Sequence, residues 1–113
     1  MPGGWLTERL ASFGPQPALQ RGSTCITYAA LADAVRGWMD RRAALPRGQA
    51  VLLEGEAGPG LIAALVALLD RGDIAVPMAP VESVRIDTCA RIAAVDQHLR
   101  WSPDGAWTEH AGP

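Results

Sequence analysis

Residues 49–80, QAVLLEGEAGPGLIAALVALLDRGDIAVPMAP, decide the fold. Ala50-Val51-Leu52-Leu53-Glu54 is a short apolar run, and Gly55-Glu56-Ala57-Gly58-Pro59-Gly60 interrupts it. Leu61 to Leu69 then carries no polar side chain, Gly72 stops that run, and Ile74-Ala75-Val76-Pro77 follows. Strand, glycine-rich turn, helix and strand in that order make a βαβ unit. So short a helical crossover requires its two strands to be parallel and close neighbours in one sheet. A helix that is apolar all round has no face to give to water, so covering is expected on more than its sheet side.

The flanking sequence supplies the rest of one domain. Residues 5–13 place Trp5, Leu6, Leu10 and Phe13 at helical spacing, and Pro15 and Pro17 end that helix. Two β-prone runs, 18–20 and 25–28, flank Arg21-Gly22-Ser23-Thr24, which predicts a hairpin. Over 29–44 the apolar residues Leu31, Val35, Trp38 and Met39 form one stripe, with Thr27 just ahead of the helix and Pro46 and Gly48 beyond its end. Residues 83–97 return to helical spacing through Ile86, Cys89, Ala90 and Ala93. Residues 98–101 and 106–108 flank Pro103-Asp104-Gly105, a turn sequence that predicts a closing hairpin, with a frayed tail after it. The expected class is α/β: a parallel βαβ core with flanking helices and short hairpins, all within residues 1–113.

Composition narrows the function classes. A chain of 113 residues buries roughly two thirds of its unfolded surface, enough for one core. A net charge of -2 suggests neither nucleic acid nor an anionic membrane as partner. All 10 basic residues are arginines, so chemistry that needs a lysine must come from elsewhere. Cys25 and Cys89 lack C-x-x-C spacing and read as buried, reduced thiols rather than metal ligands. The opening Met-Pro-Gly-Gly-Trp does not read as a signal peptide, and the run at 61–69 is far below the roughly 20 residues of a membrane span. A cytoplasmic location is expected, and the arginine and alanine bias suggests a GC-rich bacterial genome.

Candidate chemistry is sparse. Gly55 and Gly60 have the spacing of a Walker loop, but Leu61 and Ile62 stand where Lys and Ser or Thr must be. Gly58-Pro59-Gly60-Leu61-Ile62-Ala63 fits the looser G-x-G-x-x-[GA] pattern between strand and helix, making Gly58 and Gly60 weak candidates for nucleotide binding. Pro59 removes a donor there, Asp73 precedes the second strand, and the next acidic residue is Glu82; a tight turn with Pro59 at the helix start explains the same residues. No G-x-S-x-G elbow surrounds Ser12, Ser23, Ser83 or Ser102. His98 and His110 fall in the closing hairpin, where exposure is expected, and Glu54 and Glu56 read as a solvated strand end. The tryptophans Trp5, Trp38, Trp101 and Trp107 suit a core edge or an interface.

Two segments together resemble the start of the adenylate-forming superfamily: acyl-CoA synthetases, fatty acyl-AMP ligases and the adenylation domains of nonribosomal peptide synthetases. Ile26-Thr27-Tyr28-Ala29-Ala30-Leu31 is similar to the first core motif, L-[TS]-Y-x-E-L, with Ala30 where Glu is usual. Leu69-Asp70-Arg71-Gly72-Asp73-Ile74-Ala75-Val76-Pro77-Met78 is similar to the second, L-K-A-G-x-A-Y-V-P-[LI], keeping Leu, Gly, Val and Pro. The resemblance spans nearly the whole chain but only the opening part of the family. It implies ATP, magnesium and an acyl substrate for a complete complex alone, because the phosphate loop with its lysine, the ribose-binding aspartate and the C-terminal lysine have no counterpart here. No catalytic, cofactor-binding or metal residue transfers to this sequence. The implied role is an N-terminal piece of a split ligase that completes a larger adenylate-forming polypeptide. A self-associating scaffold or regulatory remnant of the fold, and a small nucleotide-binding module using Gly58 and Gly60, are the alternatives.

Overall fold

The computed structural model describes residues 5–55, 58–79, 83–101 and 107–111. Expectations for Glu56, Glu82, Ser102, the turn at 103–105, the tail at 112–113 and the side chains of Ser83, Cys89, Trp101 and His110 lie outside the described residues. Among the described residues ten elements follow in order: α1 (Trp5–Ser12), β1 (Pro17–Arg21), β2 (Thr24–Thr27), α2 (Tyr28–Arg41), β3 (Ala50–Glu54), α3 (Pro59–Arg71), β4 (Ile74–Met78), α4 (Ser83–Ile92), β5 (Gln97–Trp101) and β6 (Trp107–Ala111).

The sheet has the order β4-β3-β5-β6, and β3 is parallel to both neighbours. The βαβ reading of residues 49–80 is thus correct, and β5 joins on the other side of β3. β5 and β6 form the expected closing hairpin, antiparallel, and a separate β1–β2 hairpin lies apart from the main sheet.

Alternation along β3 divides the sheet into two faces. Val51 and Leu53, with Leu99 of β5, pack against Leu31, Val35 and Trp38 of α2 and Ala63, Ala64, Ala67 and Leu68 of α3. Leu52 points the other way and is fully buried with Val95, beside Ala50, Val76 and Met78. Because β4 and β5 flank β3 on opposite sides, right-handed crossovers send α3 and α4 to opposite faces. Alanines at successive turns of α3 let its axis approach β3 and α2 closely.

The helix ends explain the two sequence motifs. Thr27 is the N-cap of α2, its Oγ1 accepting a hydrogen bond from Ala30 N at 3.1 Å. The usual Glu at position 30 would return a bond to the Thr27 N–H, completing a capping box; Ala30 leaves that half unmade. Gly72 ends α3 in the left-handed region, φ 83°, with its N–H directed to the Leu68 and Leu69 carbonyls. Pro59 is at the first turn of α3, as expected. Pro77 is tolerated in β4 because β4 is an edge strand, with one side free of ladder bonds.

Charged groups bind the layers together. The Asp70 carboxylate on α3 accepts from the backbone N–H groups of Leu6 (3.1 Å) and Thr7 (2.8 Å) and from the Thr7 hydroxyl, so it caps the start of α1 from another element. Arg71, 4% exposed, donates to the carbonyls of Arg42, Leu45 (2.9 Å) and Pro46 (3.1 Å), while its Nε lies 3.1 Å from Asp73 Oδ2. Arg42, also buried, reaches Glu109 at 3.0 Å and Gln97 at 2.6 Å, tying the end of α2 to the β5–β6 hairpin. Burial pulls its guanidinium below the ordinary arginine value, and Glu109 opposes that pull.

Several expectations need correction. α2 stops at Arg41, short of residue 44, and α4 stops at Ile92, because residues 93–94 turn, with Ala94 at φ 51°, and Gln97 already belongs to β5. Cys25 is exposed rather than buried, since β2 sits in a hairpin with an open face. α3 is covered by the sheet, α1 and α2, yet Leu69 stays 52% exposed, so the covering of the all-apolar helix is incomplete. Glu54 is buried and His98 partly buried, rather than exposed. The tryptophans divide: Trp38 is buried, with its ring 4.4 Å from that of Trp107, while Trp5 is exposed.

Candidate functional site

Two places in this fold bring functional groups together. The first is the start of α3. Gly58 is its N-cap with φ -177°, an extended conformation open to any residue, and no side chain caps the helix. Pro59 stands in the first turn of α3, as expected. Beside it lies a half-open cavity of about 210 Å³ lined by Leu19, Gln20, Thr24, Ile26, Gly58, Pro59 and Ile62. The β1–β2 hairpin forms one wall and the first turn of α3 the other.

That lining does not fit a magnesium nucleotide. Phosphates need cations or several aligned N–H donors, and the metal needs oxygen ligands such as carboxylates. Gln20 and Thr24 are the polar residues of this lining, and Pro59 contributes no N–H. Among the described residues no group of three His, Cys, Asp or Glu side chains is placed to hold a metal ion.

The second place is at the carboxyl ends of β3 and β5, on the face away from α3. Glu54 ends β3 and is paired in register with Arg100 of β5, two pairs beyond Leu52 and His98. Period-two alternation puts Leu52, Glu54, His98 and Arg100 on one face. Glu54 is 6% exposed; its Oε1 accepts from Arg100 Nε at 3.0 Å and lies 2.9 Å from His98 Nε2. A buried carboxylate needs such partners, because an unpaired charge at this depth is costly. The solvated strand end expected for Glu54 and the exposure expected for His98 are thereby both overturned. The Glu54–Arg100 separation in sequence, 46 residues, hides this cluster from any local reading. An acidic residue ending an otherwise apolar strand was its one sequence signal.

Among the described residues no helix is long and apolar enough to cross a membrane.

No protein-family model matches the chain, and comparison with curated proteins gives no match. Solved structures do match. The crystal structure of IdnL1 is similar over 100% of this chain and 28% of its own, with TM-score 0.73 and 20% identity. The Klebsiella oxytoca NpsA N-terminal subdomain in complex with 3-hydroxyanthranilyl-AMSN is similar over 84% of this chain and 25% of its own, at TM-score 0.72 and 22% identity. For CmiS6 the shares are 98% and 33%, the TM-score 0.71 and the identity 22%. The chain thus spans between a quarter and a third of the length of these structures. Likeness at such identity speaks to fold rather than to activity. The chain carries the fold of the N-terminal subdomain of an adenylation domain, the architecture to which its two motifs had pointed.

Proposed function

We propose that this chain is the N-terminal structural piece of an adenylate-forming ligase, docking onto a larger polypeptide that supplies the ATP, magnesium and acyl sites. The observation that carries this reading is the match of the whole chain to only 28% of IdnL1. Two further facts agree with it. There is no lysine to serve a phosphate loop or the adenylation step, and the described residues lining the cavity at the start of α3 carry no charged side chain. In this role the chain contributes surface and rigidity: β3 and α3 provide a fixed core, and Leu69 and Trp5 remain exposed apolar groups on its outside.

The test is assembly. Light scattering on the purified chain mixed with an adenylate-forming polypeptide that carries the phosphate loop should give a one-to-one complex. A chain that ignores that polypeptide and instead forms a stable homo-oligomer would replace this reading with a self-associating scaffold.

A further inference from the structure

We propose that Arg100, held in place by Glu54, is an oxyanion-binding residue at the carboxyl end of the sheet, taking a carboxylate or phosphate group of a small ligand. Position is the first support. The chain leaves β3 toward β4 on one side, while β5 lies on the other, so the boundary between β3 and β5 is where strand order reverses. In open parallel sheets the crevice outside the carboxyl ends at such a point is where ligands enter. Glu54 and Arg100 are the in-register pair nearest that end in the β3–β5 ladder.

Geometry is the second support. A guanidinium carries five N–H donors in a planar fork. If Arg100 served only to neutralise Glu54, a two-pronged contact using an Nη group would be the stronger arrangement. Instead Nε alone meets Glu54 Oε1, at 3.0 Å, and the side chain stays 46% exposed. Holding a guanidinium by Nε restrains it and leaves its Nη donors outside the contact with Glu54. The guanidinium fork matches the two oxygens of a carboxylate or phosphate. Glu54 is itself fixed, being buried and shared with His98 at 2.9 Å. It is a positioning residue, and Arg100 makes the contact.

The proposal concerns the chain by itself, so its test does not depend on any partner. Arginine Nε and backbone amide resonances of the full chain would be followed by NMR during titration with sodium phosphate, sodium acetate or sodium chloride at matched ionic strength. Saturable shifts at Arg100 and His98 with phosphate, acetate or both are expected, with none from chloride; the anion that binds more tightly names the ligand class. Arg100→Gln should weaken binding about tenfold or more, and Arg100→Lys nearly as much, because a point charge does not reproduce a bidentate fork. Arg36→Gln, removing an exposed guanidinium paired with Asp33, should leave binding unchanged. Glu54→Gln should weaken binding severalfold by freeing the guanidinium. Should that variant fail to fold, the exposed Arg100 substitutions still decide. Shifts that never saturate, or that persist unchanged in Arg100→Gln, would overturn the proposal.

Discussion

Thr27, Gly72 and Asp70 show how single residues set the ends of the helices. The Thr27 hydroxyl caps α2, and Ala30 lacks the carboxylate that would answer it. Ala30 is exposed, so Ala30→Glu should raise unfolding stability by about 0.5 kcal/mol in a urea titration, the scale of one added capping contact. No gain would mean that Glu at this position does not close a capping box. At Gly72 a Cβ would meet nothing within 4 Å, so the cost of Gly72→Ala is purely that of placing a side chain at φ 83°. That cost is about 1 kcal/mol. An unchanged midpoint would show that α3 ends differently. Both positions were legible in the sequence, because capping is local chemistry. The pairing of Glu54 with His98 was not legible, since it follows from the register of β3 against β5, and partners separated by 44 residues meet only once that register forms. Cys25 was misread for a related reason: a β-prone run says nothing about which face of a hairpin is open.

Elements in this molecule are joined by charge as well as by apolar contact. Asp70 projects from α3 to cap α1, and Arg71 projects from the next position to bind the carbonyls that follow α2. Adjacent residues near the end of one helix therefore fix two others. Asp70→Ala should cost about 1 kcal/mol or more, the usual scale for a lost helix cap. Hydrogen exchange should show the loss concentrated at Leu6 and Thr7. Uniform loss of protection across the chain would argue that α1 is not a separately anchored element. Arg71→Met should be more severe, roughly 3 kcal/mol, because it strands the buried Asp73 carboxylate without its cation. The periodicity of α2 and α3 was readable, as was the βαβ order, because apolar spacing reports directly on which face is buried. The stop of α4 at Ile92 was not, since apolar residues continue past it at helical spacing and only the demand of β5 for pairing at Gln97 cuts the helix short.

At the scale of the whole molecule the shape is a slab with principal extents of 41 × 36 × 18 Å. Its radius of gyration, 14.2 Å, exceeds the about 13 Å expected for a compact domain of this length. A slab has broad faces relative to its interior, and such faces are natural sites for docking. Leu69, Ile74, Trp5 and Ile92 are large apolar residues left in solvent on this surface. The fold shared with IdnL1, NpsA and CmiS6 occupies only part of each of those chains. The motif pair made the architecture recognisable from sequence, whereas the mode of docking depends on surfaces that no motif encodes. The most direct test is ATP–pyrophosphate exchange measured for this chain alone, for an adenylate-forming polypeptide bearing the phosphate loop alone, and for the two mixed. The account predicts exchange that appears or rises sharply only in the mixture. Exchange catalysed by this chain unaided would contradict it.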